Sequence, residues 1–133
     1  GKHFSALKKA ASGGELSRIN LVVKKQLIGK KALPSSVMDE IDTGVSGEIA
    51  RKVGGFMHDM ADEQQLIVIT HLPQIASMGS RHFHVYKEMQ ADTVITAVKQ
   101  LESDQRVHEI AKMISGDNLT ESALEQSKEL LKP

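Results

Sequence analysis

An unbroken apolar run, LIVI at 66–69, limits the folds open to this chain more than any other feature, and it ends at Thr70 and His71. Apolar residues without alternation are typical of a strand covered on both faces, as in a parallel sheet. A second short run at 35–39 ends on acids, and helical spacing predicts a helix over 46–61 between the two. Strand, helix and strand form a βαβ unit, so we expect an α/β fold with a mostly parallel sheet and flanking helices.

The other apolar patterns extend this layout in both directions. Ser12 and Glu15 form a capping box, which predicts a helix from Ser12 that ends near Gly29. Asn118 with Glu121 is the expected cap of the last helix. The further predicted elements are a short helix at 73–78, hairpin strands at 82–88 and 92–100, and helices at 104–115 and 119–131.

Composition excludes several classes of protein. The chain has 133 residues, for which one domain is the default. Its 17 basic and 17 acidic residues cancel, which argues against this piece being the main DNA-binding surface. It contains no cysteine, so disulfides and thiol chemistry are excluded. No apolar run is long enough to span a bilayer.

The first candidate site is the start of the first helix, at Ser12, Gly13 and Gly14. Glycines allow backbone N–H groups to approach a ligand closely, and a helix N-terminus attracts anions. These residues therefore suit a phosphate. A plain helix cap after a flexible turn explains the same pattern.

Two acids, Asp39 and Glu40, end the first predicted strand, where ligands of open α/β sheets gather. One such acid can hold Mg²⁺, and its neighbour can orient or deprotonate a water. The alternative is an acidic turn. His71 ends the second strand and would lie beside the acids if the strands are neighbours. It suits a terminal phosphate, or it is a strand-end histidine satisfied by backbone groups.

Two further histidines, His82 and His84, share one face of a predicted strand, as two metal ligands would. No third ligand accompanies them, which favours an exposed strand face.

Together these segments resemble the motifs of ABC-type ATPase heads. SGGELSR at 12–18 resembles the signature motif, VMDE at 37–40 resembles Walker B, DTGVS at 42–46 resembles the D-loop, and His71 resembles the switch histidine. With THLPQIA at 70–76 and RVHEIAKMISG at 106–116, the chain is similar to the RecN family, which are SMC-like ATPases of bacterial DNA repair.

The resemblance implies a composite site in which two heads enclose two ATP molecules. Asp39 would help to hold Mg²⁺, Glu40 would polarise the attacking water, and His71 would contact the γ-phosphate. These residues serve the ATP of their own head.

The partner's ATP would be bound by the signature residues Ser12, Gly13 and Gly14. Asp42 would contact nucleotide at the same interface. It belongs to the loop that would meet a second, identical RecN head in a homodimer. Arg18 suits a structural ion pair as well as it suits nucleotide.

One motif of the family is absent from these residues: no G-x-x-x-x-G-K-S/T, the Walker A pattern, occurs. We therefore expect residues 1–133 to be the C-terminal portion of an ABC ATPase head, a partial P-loop NTPase fold with the Walker A strand missing. Such a piece alone should neither bind ATP tightly nor hydrolyse it. The strand at 66–70 would have an unpaired edge, closed locally or by another copy.

The implied function is ATP hydrolysis by the full-length, dimerised protein in DNA double-strand break repair and recombination. It would act in the cytoplasm, at the nucleoid. The alternative is a non-catalytic dimerisation module of another SMC-like protein, and the presence of Glu40 favours the catalytic interpretation. A hydrolase built on Ser36, His71 and Asp39 is a poor fit, because Ser36 lacks a nucleophile elbow.

Overall fold

A computed structural model describes residues 13–27, 34–90 and 92–132. Contacts divide the chain into two compact units, one ending at Ile75 and one beginning at Ala76. The predicted cap at Ser12 and the expected helix end at Gly29 lie outside the described residues.

The first unit contains the predicted βαβ motif preceded by a helix. Its elements are helix α1 (Gly13–Leu27), strand β1 (Ser35–Met38), helix α2 (Gly47–Ala61) and strand β2 (Gln65–Val68). A single helical turn, α3 (Pro73–Ala76), follows.

The two strands of this unit pair in parallel, which confirms the predicted arrangement. Val37 lies opposite Ile67 and Met38 lies opposite Val68. Beyond β2, the Ile69 N–H donates to the Met38 carbonyl at 2.9 Å, so the ladder continues to the point where both chains leave the sheet. Both carboxyl ends therefore lie at one edge.

The core of the first unit lies on one face of this sheet. Its buried residues come from α1, β1, the loop after β1, α2 and α3: Leu21, Met38, Ile41, Met57, Met60 and Ile75. The aliphatic and Met-rich composition agrees with the low aromatic content of the sequence. Because this core forms around Met38, it fixes where β1 ends and the acidic loop begins.

Among the described residues, the opposite face of the sheet is exposed, so the predicted cover on both faces is not found there. Val37 is 54%, Ile67 49% and Ile69 54% exposed. Leu21 of α1 and Met57 and Met60 of α2 pack in the cluster that contains Met38, on the other face of the sheet from these exposed side chains. In the part of the chain that the structure describes, no strand pairs with the second edge of β2, so local closure of this edge is not found.

Helical spacing predicts an apolar face of α1 that contains Leu16, Ile19, Val23 and Leu27. The structure buries Leu21 instead, whereas Ile19 and Val23 are exposed. The predicted apolar face of α2 is buried in part: Met57 and Met60 are buried, and Ile49 is 59% exposed.

The second unit is a hairpin followed by two helices. Strands β3 (His82–Gln90) and β4 (Thr93–Leu101) pair antiparallel, and α4 (Ser103–Ser115) and α5 (Glu121–Leu130) follow. β3 runs two residues further into the turn than predicted, whereas β4 begins one residue later than predicted. Asp92 adopts the left-handed conformation in this turn, with φ of +65°. The α5 cap is Thr120, not Asn118, because the Thr120 side chain accepts from the Ala123 N–H at 3.1 Å.

Candidate functional site

An open cleft of about 240 Å³ lies where β1 and β2 end. It is lined by Asp39, Glu40, Asp42, Thr43, Ile69, Thr70 and His71. Parallel pairing of the two strands brings these residues together, since each follows the carboxyl end of β1 or β2. The structure therefore unites four of the predicted site residues around one space.

The chain turns sharply at the two acids. Asp39 and Glu40 are both exposed, and Asp39 Oδ1 accepts from the Glu40 N–H at 2.9 Å. Glu40 has a φ of +57°, in the left-handed region that non-glycine residues seldom adopt. Such conformations cost free energy and are concentrated at functional sites. Here the conformation brings the carboxylate that follows Asp39 to the cleft.

The loop after Glu40 is held by a series of backbone turns. The Thr43 N–H donates to the Glu40 carbonyl at 3.3 Å, and the Val45 N–H donates to the Asp42 carbonyl at 3.2 Å. Gly44 has a φ of +72°, which glycine adopts without steric cost. Arg18 Nη1 of α1 donates to the Thr43 carbonyl at 3.0 Å. Arg18 is thus a structural tie from α1 to this loop.

Asp42 is the buried member of the site, with its side chain only 4% exposed. Its Oδ2 accepts from Thr70 Oγ1 at 2.6 Å and from the His71 N–H at 2.9 Å. The same oxygen lies 2.9 Å from His71 Nδ1. Thr70 Oγ1 in turn accepts from the Leu72 N–H at 3.1 Å. One carboxylate therefore fixes the segment that leaves β2.

These contacts determine the charge state of Asp42. Burial alone raises the pKa of this carboxyl, but hydrogen bonds from Thr70 and the His71 backbone, with the charge of His71, hold the pKa below its ordinary value. Hydrogen bonds to the ionised form favour that form. Asp42 is consequently an anion at neutral pH.

The imidazole of His71 is held on one side and open on the other. Nδ1 faces Asp42 while 74% of the side chain is exposed. The ring lines the same cleft as Glu40. Its position suits contact with a ligand in the cleft.

The predicted phosphate-binding residues of the signature segment are described only in part. Gly13 and Gly14 form the first turn of α1, and Ser12 lies outside the described residues. The first turn carries Glu15. Arg18, one turn further along, joins this helix to the loop that carries Asp42.

Asp39 fits a Mg²⁺ ligand by its chemistry. Mg²⁺ in nucleotide sites takes one or two carboxylates together with substrate phosphates and waters. Asp39 has an exposed carboxylate at the cleft, which could provide the protein ligand of such a site. Within residues 13–27, 34–90 and 92–132 no cluster of three or more His, Cys, Asp or Glu side chains forms a metal cage.

Thr70 had no predicted role, and Arg18 was predicted to serve either a structural ion pair or nucleotide binding. Thr70 donates to Asp42, and Arg18 holds the loop backbone at Thr43. Thr70 directly precedes the switch-like histidine, but a hydroxyl at a strand end gives no signal of its partner 28 residues away.

The two histidines of β3 were expected on an exposed strand face, and this is wrong. Both are half-buried, and His84 Nδ1 lies 3.5 Å from Glu109 Oε2 of α4. Alternation places His82 and His84 on the helix side of the hairpin, which explains their burial.

No family model matches the chain. It is 39% identical to the DNA repair protein RecN of Bacillus subtilis (strain 168) over 132 residues, 99% of this chain and 23% of the relative. It is 44% identical to RecN of Rickettsia conorii and 37% identical to RecN of Vibrio cholerae, over 98% of this chain and 24% of each relative.

Over nearly its whole length, this chain is similar to RecN. The resemblance predicted from the motifs is thereby confirmed. The chain spans about a quarter of the length of the RecN proteins that it matches.

A solved structure shows the same fold. The neighbour comes from work on ATP-driven dimerization and DNA-stimulated activation of SMC ATPases. It aligns with a TM-score of 0.58 at 22% identity, over 86% of this chain and 68% of the other. The predicted α/β fold, with a small parallel sheet and flanking helices, is thus confirmed. Among the helices that the structure describes, none is long and apolar enough to cross a membrane.

Proposed function

We propose that this chain is the C-terminal portion of the ATPase head of a RecN-type DNA repair protein. In this proposal it supplies the signature motif, Walker B, the D-loop and the switch histidine to a composite ATP site. The observation that carries the proposal is the cleft in which Asp39, Glu40 and His71 meet at the carboxyl ends of two parallel strands. Similarity to RecN over 98–99% of the chain supports it.

The reaction is phosphoryl transfer from ATP to water, in which positioning and charge stabilisation supply most of the catalysis. Glu40 orients the attacking water and accepts its proton. His71 contacts the terminal phosphate. Asp39 holds Mg²⁺, which neutralises phosphate charge when bound.

The second half of each site comes from another copy. Gly13 and Gly14 at the start of α1, together with Ser12, which precedes them in the sequence, contact the γ-phosphate of ATP bound to the partner head. Free N–H groups and the helix dipole favour an anion at a helix N-terminus. The dimer acts on DNA in double-strand break repair, in the bacterial cytoplasm. DNA is bound by other parts of the protein, since the 17 basic and 17 acidic residues here leave no net charge.

The test protein is a RecN hybrid, a full-length RecN in which these 133 residues replace the matching segment of the Bacillus subtilis protein. Glu40→Gln in the RecN hybrid keeps the size of the side chain but removes the proton acceptor. We expect it to abolish ATP turnover while ATP binding remains, and to trap the ATP-bound dimer. Turnover is measured by phosphate release and dimerisation by sedimentation.

Glu48→Gln is the matched control, because Glu48 is an exposed glutamate at the start of α2 that pairs with Lys52. It should leave turnover unchanged. If Glu40→Gln hydrolyses ATP at the rate of the control, the proposal fails and the chain is better described as a non-catalytic dimerisation module.

The isolated chain provides a second test, since none of its residues forms a Walker A motif. We expect the purified 133-residue chain to show no ATP turnover of its own. Turnover that Glu40→Gln removes from the isolated chain would contradict this part of the proposal.

A further inference from the structure

Asp42 has a different orientation from the one that the family resemblance implies. A D-loop residue that meets the partner head would present its side chain outward, but the Asp42 side chain is 4% exposed. Its carboxylate points toward the end of β2, where Thr70 and His71 lie. Its role must therefore be sought within its own head.

Three hydrogen-bond donors lie around a single carboxylate oxygen of Asp42. Oδ2 accepts from Thr70 Oγ1 at 2.6 Å and from the His71 N–H at 2.9 Å, and it lies 2.9 Å from His71 Nδ1. Two of the three contacts therefore involve one residue, through its backbone and its ring. This fixes both the place of His71 in the chain and the rotation of its side chain.

The chemistry of the pair determines which ring nitrogen carries a proton. An ionised carboxylate only accepts hydrogen bonds. His71 Nδ1 must therefore be protonated to make the 2.9 Å contact, and the second nitrogen, Nε2, lies on the far side of the ring. The exposed 74% of the side chain includes the part that lines the cleft.

We propose that Asp42 is a positioning residue for His71, whose carboxylate orients the imidazole and keeps a proton on Nδ1 so that Nε2 is the nitrogen presented to ATP. This inference rests on the proposed function, because it assigns Asp42 a role in the same site. Thr70 supports the arrangement by donating to the same carboxylate oxygen.

The arrangement has a consequence for the contact with phosphate. A phosphate oxygen accepts hydrogen bonds, so Nε2 must carry a proton taken from solvent when His71 contacts it. The other ionisable groups that line the cleft are Asp39 and Glu40.

Kinetics of the RecN hybrid separate positioning from a general structural role. Asp42→Ala should lower kcat for ATP about 10- to 100-fold, the cost seen when a metal-bound histidine loses the carboxylate that orients it, and change KM much less. Asp42→Asn should recover part of kcat, because its amide oxygen accepts from the same three donors. An Asp42→Asn variant no better than Asp42→Ala would contradict the proposal.

A double-substitution cycle gives the decisive comparison. If Asp42 acts through His71, Asp42→Ala should lower kcat no further in a His71→Ala background. A further loss of the same size in that background would overturn the proposal, because Asp42 would then act independently of the imidazole.

The tautomer can be observed directly in RecN hybrid labelled with ¹⁵N-histidine. The His71 signal, assigned by its loss in His71→Gln, should report a protonated Nδ1, and Asp42→Ala should shift the population toward protonation at Nε2 alone. Asp62→Asn is the control, since it removes an exposed carboxylate at the far end of α2. An unchanged His71 signal in Asp42→Ala would contradict the inference.

Failure of this inference is distinguishable from failure of the proposed function. If the RecN hybrid hydrolyses ATP and Glu40→Gln stops it, the proposed function stands whatever the Asp42 variants do. If Glu40→Gln remains active, the proposed function fails, and the ¹⁵N signal still decides whether Asp42 holds the proton on Nδ1.

Discussion

Arg18 Nη1 donates to the carbonyl oxygen of Thr43 at 3.0 Å, which joins helix α1 to the loop between β1 and α2. The first turn of α1 contains Gly13 and Gly14, which we propose to contact the partner's ATP. The loop carries Asp42, which contacts His71 at the head's own cleft. One hydrogen bond thus links the two segments that we propose to contribute to ATP binding.

Removal of this link should weaken activity without destroying the fold. A hydrogen bond from a charged donor contributes roughly 1.5–3 kcal/mol when protected, and less at an exposed position such as this one. We therefore expect Arg18→Ala in the RecN hybrid to lower ATP turnover by about 2- to 10-fold. Arg51→Ala, which removes an exposed arginine of α2, is the control. Equal turnover in the two variants would show that the link is not used.

Alanine substitution at two glycines of the first unit should change the free energy of unfolding in opposite directions. Gly44 has a φ of +72°, so a Cβ there is strained, and Gly44→Ala should lower the free energy of unfolding by about 1 kcal/mol. Gly55 lies inside α2 with nothing within 4 Å of an added Cβ. Because alanine has the higher helix propensity, Gly55→Ala should raise the free energy of unfolding by roughly 0.5–1 kcal/mol. Denaturant titration of the RecN hybrid variants measures both. Changes of the same sign would contradict the described backbone.

The pH dependence of stability should carry a contribution from His82 in the second unit. Burial lowers the pKa of His82 below its ordinary 6.5, and the charges of Arg106 and His84 lower it further against the opposing charge of Glu109. Below pH 6.5 the unfolded chain therefore binds more protons at this residue than the folded chain. The contribution of neutral, buried His82 to the free energy of unfolding is therefore complete above pH 6.5. It is lost as the pH falls from 6.5 toward the lower pKa that His82 has in the folded chain.

The measurement is the free energy of unfolding at pH 7.5 and at pH 5.5. His82→Phe keeps a ring but cannot titrate, so the loss of stability between these two values should be smaller than in the parent RecN hybrid. His58→Gln, which removes an exposed histidine of α2, is the control. A loss as large in His82→Phe as in the parent would refute the assignment.

Element order and site location could be predicted from the sequence because both follow from local pattern. The apolar run at 66–69 and the acids after Met38 place two parallel strands and their carboxyl ends, and the structure pairs them as expected. The helices at the end of the chain follow from their spacing, with Ile110 and Ala111 fully buried. Patterns of this kind depend on few contacts distant in sequence.

The structure differs from the sequence predictions at positions whose surroundings depend on contacts between residues far apart in the sequence. An apolar run shows that a strand can be covered on both faces, but it does not show that Ile67 and Ile69 are about half exposed in the part of the chain that the structure describes. The partner of Asp42 was not predictable, because a buried carboxylate is satisfied by whichever donors the fold brings to it, here Thr70 and His71. The Thr120 cap was missed because Asn118 has an equally suitable side chain two residues earlier.

The most direct test of a site shared between two heads is complementation in a mixed dimer. Gly14→Asp places a negative charge at the proposed phosphate contact, and Glu40→Gln removes the proton acceptor, so the RecN hybrid carrying either change alone should be inactive. In a mixed dimer both lesions fall in one site and the other site is intact. Random mixing should therefore restore about a quarter of the parent turnover. No recovery in mixed dimers shown to form by differential tagging would contradict the account.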